Sequence, residues 1–181
     1  MTNKILLTSF DIWQSHHLSN ASDDLIETMS QQNLFTELDS KMLLLRKLPV
    51  DFQLAPQFVI AEIDAFQPNI IVCCGMAECR SLLTVESNGK HQAKVLWTTI
   101  DVDHLVDGLA ATNGSHDAGT FVCNHLYYSV LQHIRARRLT CQALFVHVPI
   151  LNEVNLAPVV QDFLAILKLL QQTSIQQQTT L

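Results

Sequence analysis

Glycine and proline are scarce in this chain, five of each in 181 residues, and charged side chains make up only 15% of it. So little charge, set against 48% hydrophobic residues, excludes a disordered or low-complexity chain, which stays unfolded through high charge and low hydrophobicity. A long apolar run is also missing. Nothing reaches the roughly 20 residues that cross a bilayer, so no membrane partner is expected. Met1-Thr2-Asn3-Lys4 leads directly into strand-like residues, without the apolar region and small-residue cleavage site of a secretory signal. A cytoplasmic protein is the expectation. Basic excess is absent as well: the net charge is −6, which excludes the electropositive surface of a nucleic-acid binder. The single basic cluster, Arg135-Ala136-Arg137-Arg138, falls where a helix should end, and cations there complement the helix dipole.

Paired cysteines are lacking too. There are five (Cys73, Cys74, Cys79, Cys123 and Cys141), and an odd number without a secretory signal is not a disulfide framework. Cys73 and Cys74 lie in an apolar run and read as small core residues. An adjacent pair is not the spacing of a structural zinc site. Neither a metal nor a cofactor is expected.

What the chain does contain is alternation. Short apolar runs at Lys4–Phe10, Asn69–Gly75 and Ala143–Val148 read as buried strands, and Met42–Leu48 reads as a further strand. Ser81–Glu86 and Lys94–Thr98 read as further short strands. Between them, helical spacing predicts helices from Ser22 to about Asn33, over Asp51–Phe66, over Phe121–Arg135 and over Asn155–Leu170. Asp101–Asp117 reads mostly as loop. Strands alternating with helices predict an α/β fold with a mostly parallel sheet, built as a single domain over residues 1–170. Residues 171–181 are polar and Gln-rich and are expected to form a disordered tail.

Three segments bear on chemistry. In Ala118-Gly119-Thr120-Phe121-Val122-Cys123-Asn124-His125, a turn feeds a helix that Thr120 can cap, and Cys123 falls in the first turn. Unpaired N–H groups and the helix dipole there favour a thiolate, and the same N–H groups can hold an oxyanion. The alternative is a buried structural cysteine. In Phe145-Val146-His147-Val148-Pro149, His147 ends an apolar strand, where ligands of open α/β sheets bind; a hydrogen-bonded core histidine is the alternative. Glu86 ends Leu83-Thr84-Val85-Glu86 and can orient an imidazole, or sit in a solvated loop. Together the three supply a nucleophile, a base and an orienting carboxylate.

At these segments the chain resembles the pyroglutamyl-peptidase I (pyrrolidone-carboxylate peptidase) family of cysteine peptidases. AGTFVCNHLYY is similar to the family's nucleophile motif, FVHVP to its histidine motif and LTVE to the start of its glutamate motif, in the family's order. KILLTSFD is similar to its first strand and turn, and LPVDFQLAPQFVIAEIDAFQPNIIVCCGMAECR to the stretch through its third strand. The resemblance implies a three-layer α/β/α sandwich and a hydrolase with Cys123, His147 and Glu86 as its catalytic set. It also implies substrate contacts from Phe10, Trp13, Met76 and Arg80. Phe10 matches a residue that packs on the pyroglutamyl ring, and Trp13 stands where a second ring-packing Phe is expected. The implied substrate is a small peptide with an N-terminal pyroglutamyl or related blocked residue, and some members assemble as homo-oligomers.

The resemblance is to a divergent member. Ile12-Trp13-Gln14-Ser15 replaces a Pro-Phe-Gly-Gly run, Met76 replaces a glutamine, and Glu78 and Cys79 replace glycines while Arg80 remains. The segment from Glu86 to Cys123 is shorter than usual. An altered pocket of this kind also fits a non-catalytic relative that binds a peptide or small molecule. A thiol redox sensor using Cys123, with Cys141 as a partner, is a third reading.

Overall fold

The computed structural model describes residues 3–179, with side chains through Ser174. Eight strands and five α-helices alternate along it. They are β1 Asn3–Phe10, α1 Ala21–Gln31, β2 Ser40–Leu48, α2 Leu54–Phe66, β3 Ile70–Met76, β4 Leu83–Glu86, β5 Asn88–His91, β6 Lys94–Trp97, α3 Val102–Val106, β7 Thr112–Ser115, α4 Val122–Arg137, β8 Gln142–Val148 and α5 Leu156–Thr179. Six strands form one sheet in the order β2-β1-β3-β8-β4-β7. The first four run parallel, β4 runs antiparallel to β8, and β7 runs parallel to β4.

Residue alternation sorts the core into two slabs. Ile5, Leu7, Ile70, Val72, Leu144 and Val146 face one way, against Leu25, Ile26 and Met29 of α1 and Val159, Phe163 and Ile166 of α5. Leu6, Ile71, Cys73, Ala143 and Phe145 face the other way, against Val59 and Ile63 of α2 and Leu126, Tyr127 and Val130 of α4. Both faces are dry, which is why these strands read as unbroken apolar runs. The result is the expected three-layer α/β/α sandwich with a mostly parallel sheet. No described helix is long and apolar enough to cross a membrane.

Several local expectations need correction. The stretch read as loop after Asp101 contains α3 and β7. Asp101 caps α3 by accepting from the His104 N–H at 3.1 Å, and both elements are too short for periodicity to reveal. Lys94–Trp97 is a strand, but its partner is β5, in a separate two-stranded hairpin. The first helix starts at Ala21, capped by Asn20, whose side chain accepts from the Ser22 N–H at 3.1 Å. The last helix does not stop at Leu170 but runs to Thr179. Gln171 takes part in the packing: its carbonyl accepts from Asn3 Nδ2 at 3.1 Å, and Ser174 is buried. Residues 180–181 of the expected tail lie outside the described residues.

Candidate active site

The β3–β8–β4 ladder builds the site. His147 on β8 pairs with Gly75 on β3 and with Thr84 on β4, and Phe145 pairs with Glu86. Glu86 and His147 are therefore diagonal neighbours across two antiparallel strands, on one face, where long side chains meet. Glu86 Oε1 lies 2.8 Å from His147 Nδ1. The same oxygen accepts from Arg80 Nη1 at 2.6 Å, and Arg80 Nη2 donates to the Asp117 carbonyl at 3.0 Å. The Phe145 ring, 4.3 Å from the imidazole between centroids, fills the space below it.

Cys123 reaches this face from the first turn of α4. Its Sγ lies 3.7 Å from His147 Nε2. The approach depends on Gly75: a Cβ there would stand 2.8 Å from Cys123 Cβ and 3.2 Å from the Phe145 ring. Ahead of the helix the chain turns through Gly119 at φ +70°, a left-handed conformation that suits glycine. Asp117 braces that turn by accepting from the Gly119 N–H at 3.2 Å and from Lys90 Nζ at 3.0 Å. Thr120 does not cap α4. Phe121 occupies the cap position and supplies no side-chain acceptor, so the first-turn N–H groups remain available to the thiol and to whatever binds beside it.

The electrostatics are set by burial. Glu86 is 0% exposed. Desolvation disfavours its charge, but hydrogen bonds from His147 and the nearby Ser115, with the charges of His147 and Arg80, outweigh this and hold the carboxyl below its ordinary range. A carboxylate carries no proton, so the hydrogen between Glu86 and His147 sits on Nδ1, and Nε2 is the nitrogen that faces Cys123. Burial pushes the Cys123 thiol up to about 11, with the Glu86 charge adding to the rise; the N–H groups of Asn124 and Cys123 and the Arg80 charge pull the other way without prevailing. This corrects the sequence reading, in which the helix N-terminus favours a standing thiolate. At rest Cys123 is a neutral thiol beside His147 Nε2.

A cavity of about 660 Å³ opens onto Cys123 and His147. Phe10, Trp13, Met76 and Arg80, the four substrate contacts implied by sequence, all line it. Phe10 is buried, Trp13 is partly exposed, and Met76 Sδ accepts from the Ala21 N–H at 3.4 Å. Arg80 lines the wall with its guanidinium committed to Glu86 and Asp117.

The sequence model of the pyroglutamyl peptidase family matches residues 91–164, which include Cys123 and His147. A pyrrolidone-carboxylate peptidase of Vibrio vulnificus is 27% identical over 176 residues, covering 83% of this chain and 80% of that protein. One from Bacillus cytotoxicus is 26% identical, covering 82% and 79%. The pyroglutamyl peptidase I structure from Bacillus amyloliquefaciens superposes with a TM-score of 0.81 at 21% identity, covering 95% of this chain and 98% of that one. The pyrrolidone carboxyl peptidase of Thermococcus litoralis gives 0.79 at 17% identity, covering 97% and 96%.

Over residues 91–164 the chain is similar to the pyroglutamyl peptidase family.

Four of the departures noted in sequence gather at one place. Trp13, Met76, Glu78 and Cys79 are all on the pocket wall, while the Cys123, His147 and Glu86 positions lie on the sheet and helix behind it. Two aromatic wall residues escaped the sequence reading. Phe121 lies 5.6 Å from Trp13, edge to face, and Phe52 comes from the turn before α2. Both are exposed aromatics. Phe121 stands two residues before Cys123, and that position was the one signal available for it. Phe52 left no sequence signal, because nothing in the Pro49–Leu54 turn announces that it faces Cys123.

Proposed function

We propose that this protein is a cysteine exopeptidase that removes an N-terminal pyroglutamyl or related blocked residue from small peptides. The observation that carries the reading is the line Cys123–His147–Glu86 at the mouth of an aromatic-walled pocket, with distances of 3.7 and 2.8 Å between successive members. The blocked residue occupies the pocket against Phe10, Trp13 and Met76. Cys123 Sγ attacks its carbonyl carbon as His147 Nε2 takes the thiol proton, so charge appears only as the bond forms. Glu86 holds the imidazole in the required tautomer and stabilises the imidazolium. The uncapped N–H groups of the first turn of α4 stabilise the oxyanion. His147 then gives the proton to the leaving amine, a thioester to Cys123 remains, and water activated by the same Nε2 releases the acid and restores the thiol. No metal or cofactor enters the scheme. Five free thiols suit a reducing, cytoplasmic location.

Release of a fluorescent amine from a pyroglutamyl amide tests this directly. Turnover that disappears in Cys123→Ser supports the reading. Absence of turnover, together with a Cys123 that iodoacetamide labels no faster than Cys141, overturns it and leaves a non-catalytic relative that binds through the altered pocket.

A further inference from the structure

A second cluster of chemically capable side chains sits at the lip of the pocket, and the proposed mechanism uses none of it. His16 and His17, in the segment between β1 and α1, meet Glu78, in the segment between β3 and β4. One ligand atom from each of the three lies within 4.8 Å of the other two.

His17 is the informative member. Its side chain is 8% exposed, and Nε2 stands 2.8 Å from Glu78 Oε1. Yet among the described residues neither ring nitrogen of His17 makes a hydrogen bond, so the carboxylate oxygen lies off the N–H axis despite its closeness. A buried imidazole with both nitrogens unmatched is costly. Two donors this close but not aligned on each other are arranged as ligands that converge on a third atom. Around a tetrahedral metal held at about 2.0–2.2 Å from each ligand, neighbouring donors stand about 3.3–3.6 Å apart, so this pair need only open slightly to take one. The second imidazole is at hand: the His16 ring is 4.2 Å from that of His17 between centroids.

We propose that His16, His17 and Glu78 bind one divalent first-row transition-metal ion, zinc fitting best, and so tie the segment after β1 to the segment after β3 at the rim of the pocket. Two imidazoles and one carboxylate favour such an ion over calcium or magnesium, which prefer all-oxygen ligation. Three protein ligands leave a coordination position open. Trp13, whose ring is 6.0 Å from that of His17, would be steadied on the pocket wall.

Titration of the chelator-treated protein with Co²⁺, read by visible absorption, tests this without reference to activity. One equivalent is expected to bind with ligand-field bands and no thiolate charge-transfer band, and to be displaced by Zn²⁺. The signal should persist in a Cys79→Ser/Cys123→Ala chain. His17→Ala and Glu78→Gln should each weaken binding by more than about tenfold, since loss of even an outer-shell partner costs that much. His16→Ala, at an exposed position, serves equally if His17→Ala fails to fold. Absence of saturable binding, binding that vanishes with the two cysteines, or binding indifferent to the histidine and glutamate changes would each overturn the proposal.

Discussion

Gly75 decides whether Cys123 can stand beside His147. An added methyl would meet Cys123 Cβ at 2.8 Å, closer than non-bonded carbons approach, so Gly75→Ala must push the helix start away from the sheet. Overpacking of this kind costs about 1–3 kcal/mol, and a displacement near 1 Å costs roughly a hundredfold in rate. Thermal unfolding and amine release should both register the change; unaltered turnover would mean that Cys123 is seated by something else. Glu86→Gln tests the opposite side of the imidazole. An amide that turns its NH₂ toward Nδ1 moves the ring hydrogen to Nε2, where it blocks acceptance of the thiol proton, and a rate loss of roughly 10³–10⁴ is expected. The thiol makes its own prediction. Because burial raises Cys123 to about 11, its alkylation rate should climb from pH 7 through pH 10. A rate already flat at pH 6 would reveal a standing thiolate and contradict the neutral thiol.

At the scale of elements, the hairpin of β5 and β6 supports the helix that carries Cys123. Asn124, the residue after the thiol, accepts from the Lys90 N–H and donates to the Lys90 carbonyl, both at 2.8 Å. Gly89 allows this contact, since a Cβ there would lie 2.8 Å from Tyr128 N and 2.9 Å from its Cα, and backbone atoms cannot step aside. Gly89→Ala should therefore destabilise the fold by about 1–3 kcal/mol and lower turnover, as read by thermal unfolding beside the amine-release assay. This hairpin also marks the limit of what the sequence made legible. The four apolar strands and four long helices stood out because each repeats its pattern over enough residues to set a period. Asn88-Gly89-Lys90-His91 has no such pattern: its burial comes from the shape of α4, a contact across 34 positions of chain. The candidate catalytic positions were legible for another reason. Their motifs are local, so Cys123, His147 and Glu86 could be picked out one at a time, whereas Phe52 and the His16–His17–Glu78 cluster acquire meaning only when distant loops meet. The level of the Cys123 thiol was misjudged for the same cause. A helix N-terminus is visible in sequence, and the burial that overrides it is not.

For the molecule as a whole, titration sets a window of stability. Asp23 and Glu86 are buried side chains held below their ordinary values of 3.8 and 4.5; burial opposes the shift in both, and Arg46 with Ser9 outweighs it at Asp23 as His147, Ser115 and Arg80 do at Glu86. Depressed carboxyls stabilise the fold above those ordinary values, and the contribution is lost as pH falls through the lower folded ones. The buried thiols act at the other end. Burial raises Cys73 to about 12 and Cys123 to about 11 from an ordinary 9.0, so their contribution is complete below pH 9 and declines as pH rises through the folded values. Denaturant midpoints measured from pH 3 to pH 11 should form a plateau between about 4.5 and 9 with a fall on each side. Serine at Cys73 should soften the alkaline fall, and a midpoint that keeps rising above pH 9 would contradict the assignment.

The pairing of Glu86 with Phe145 has a bearing on how such a protein can change over time. The carboxylate reaches the imidazole across a strand ladder, so its placement is counted in hydrogen-bond rungs and not in chain length. Between Glu86 and Cys123 the polypeptide can gain or lose whole turns without altering that count, provided the rungs of β4 on β8 survive. Insertions and deletions outside the β5–β6 hairpin and β7 leave that contact untouched. An insertion at the exposed Gly108, between α3 and β7, should therefore leave the Glu86–His147 contact where it stands, whereas one inside β5 would disturb Cys123 through Asn124.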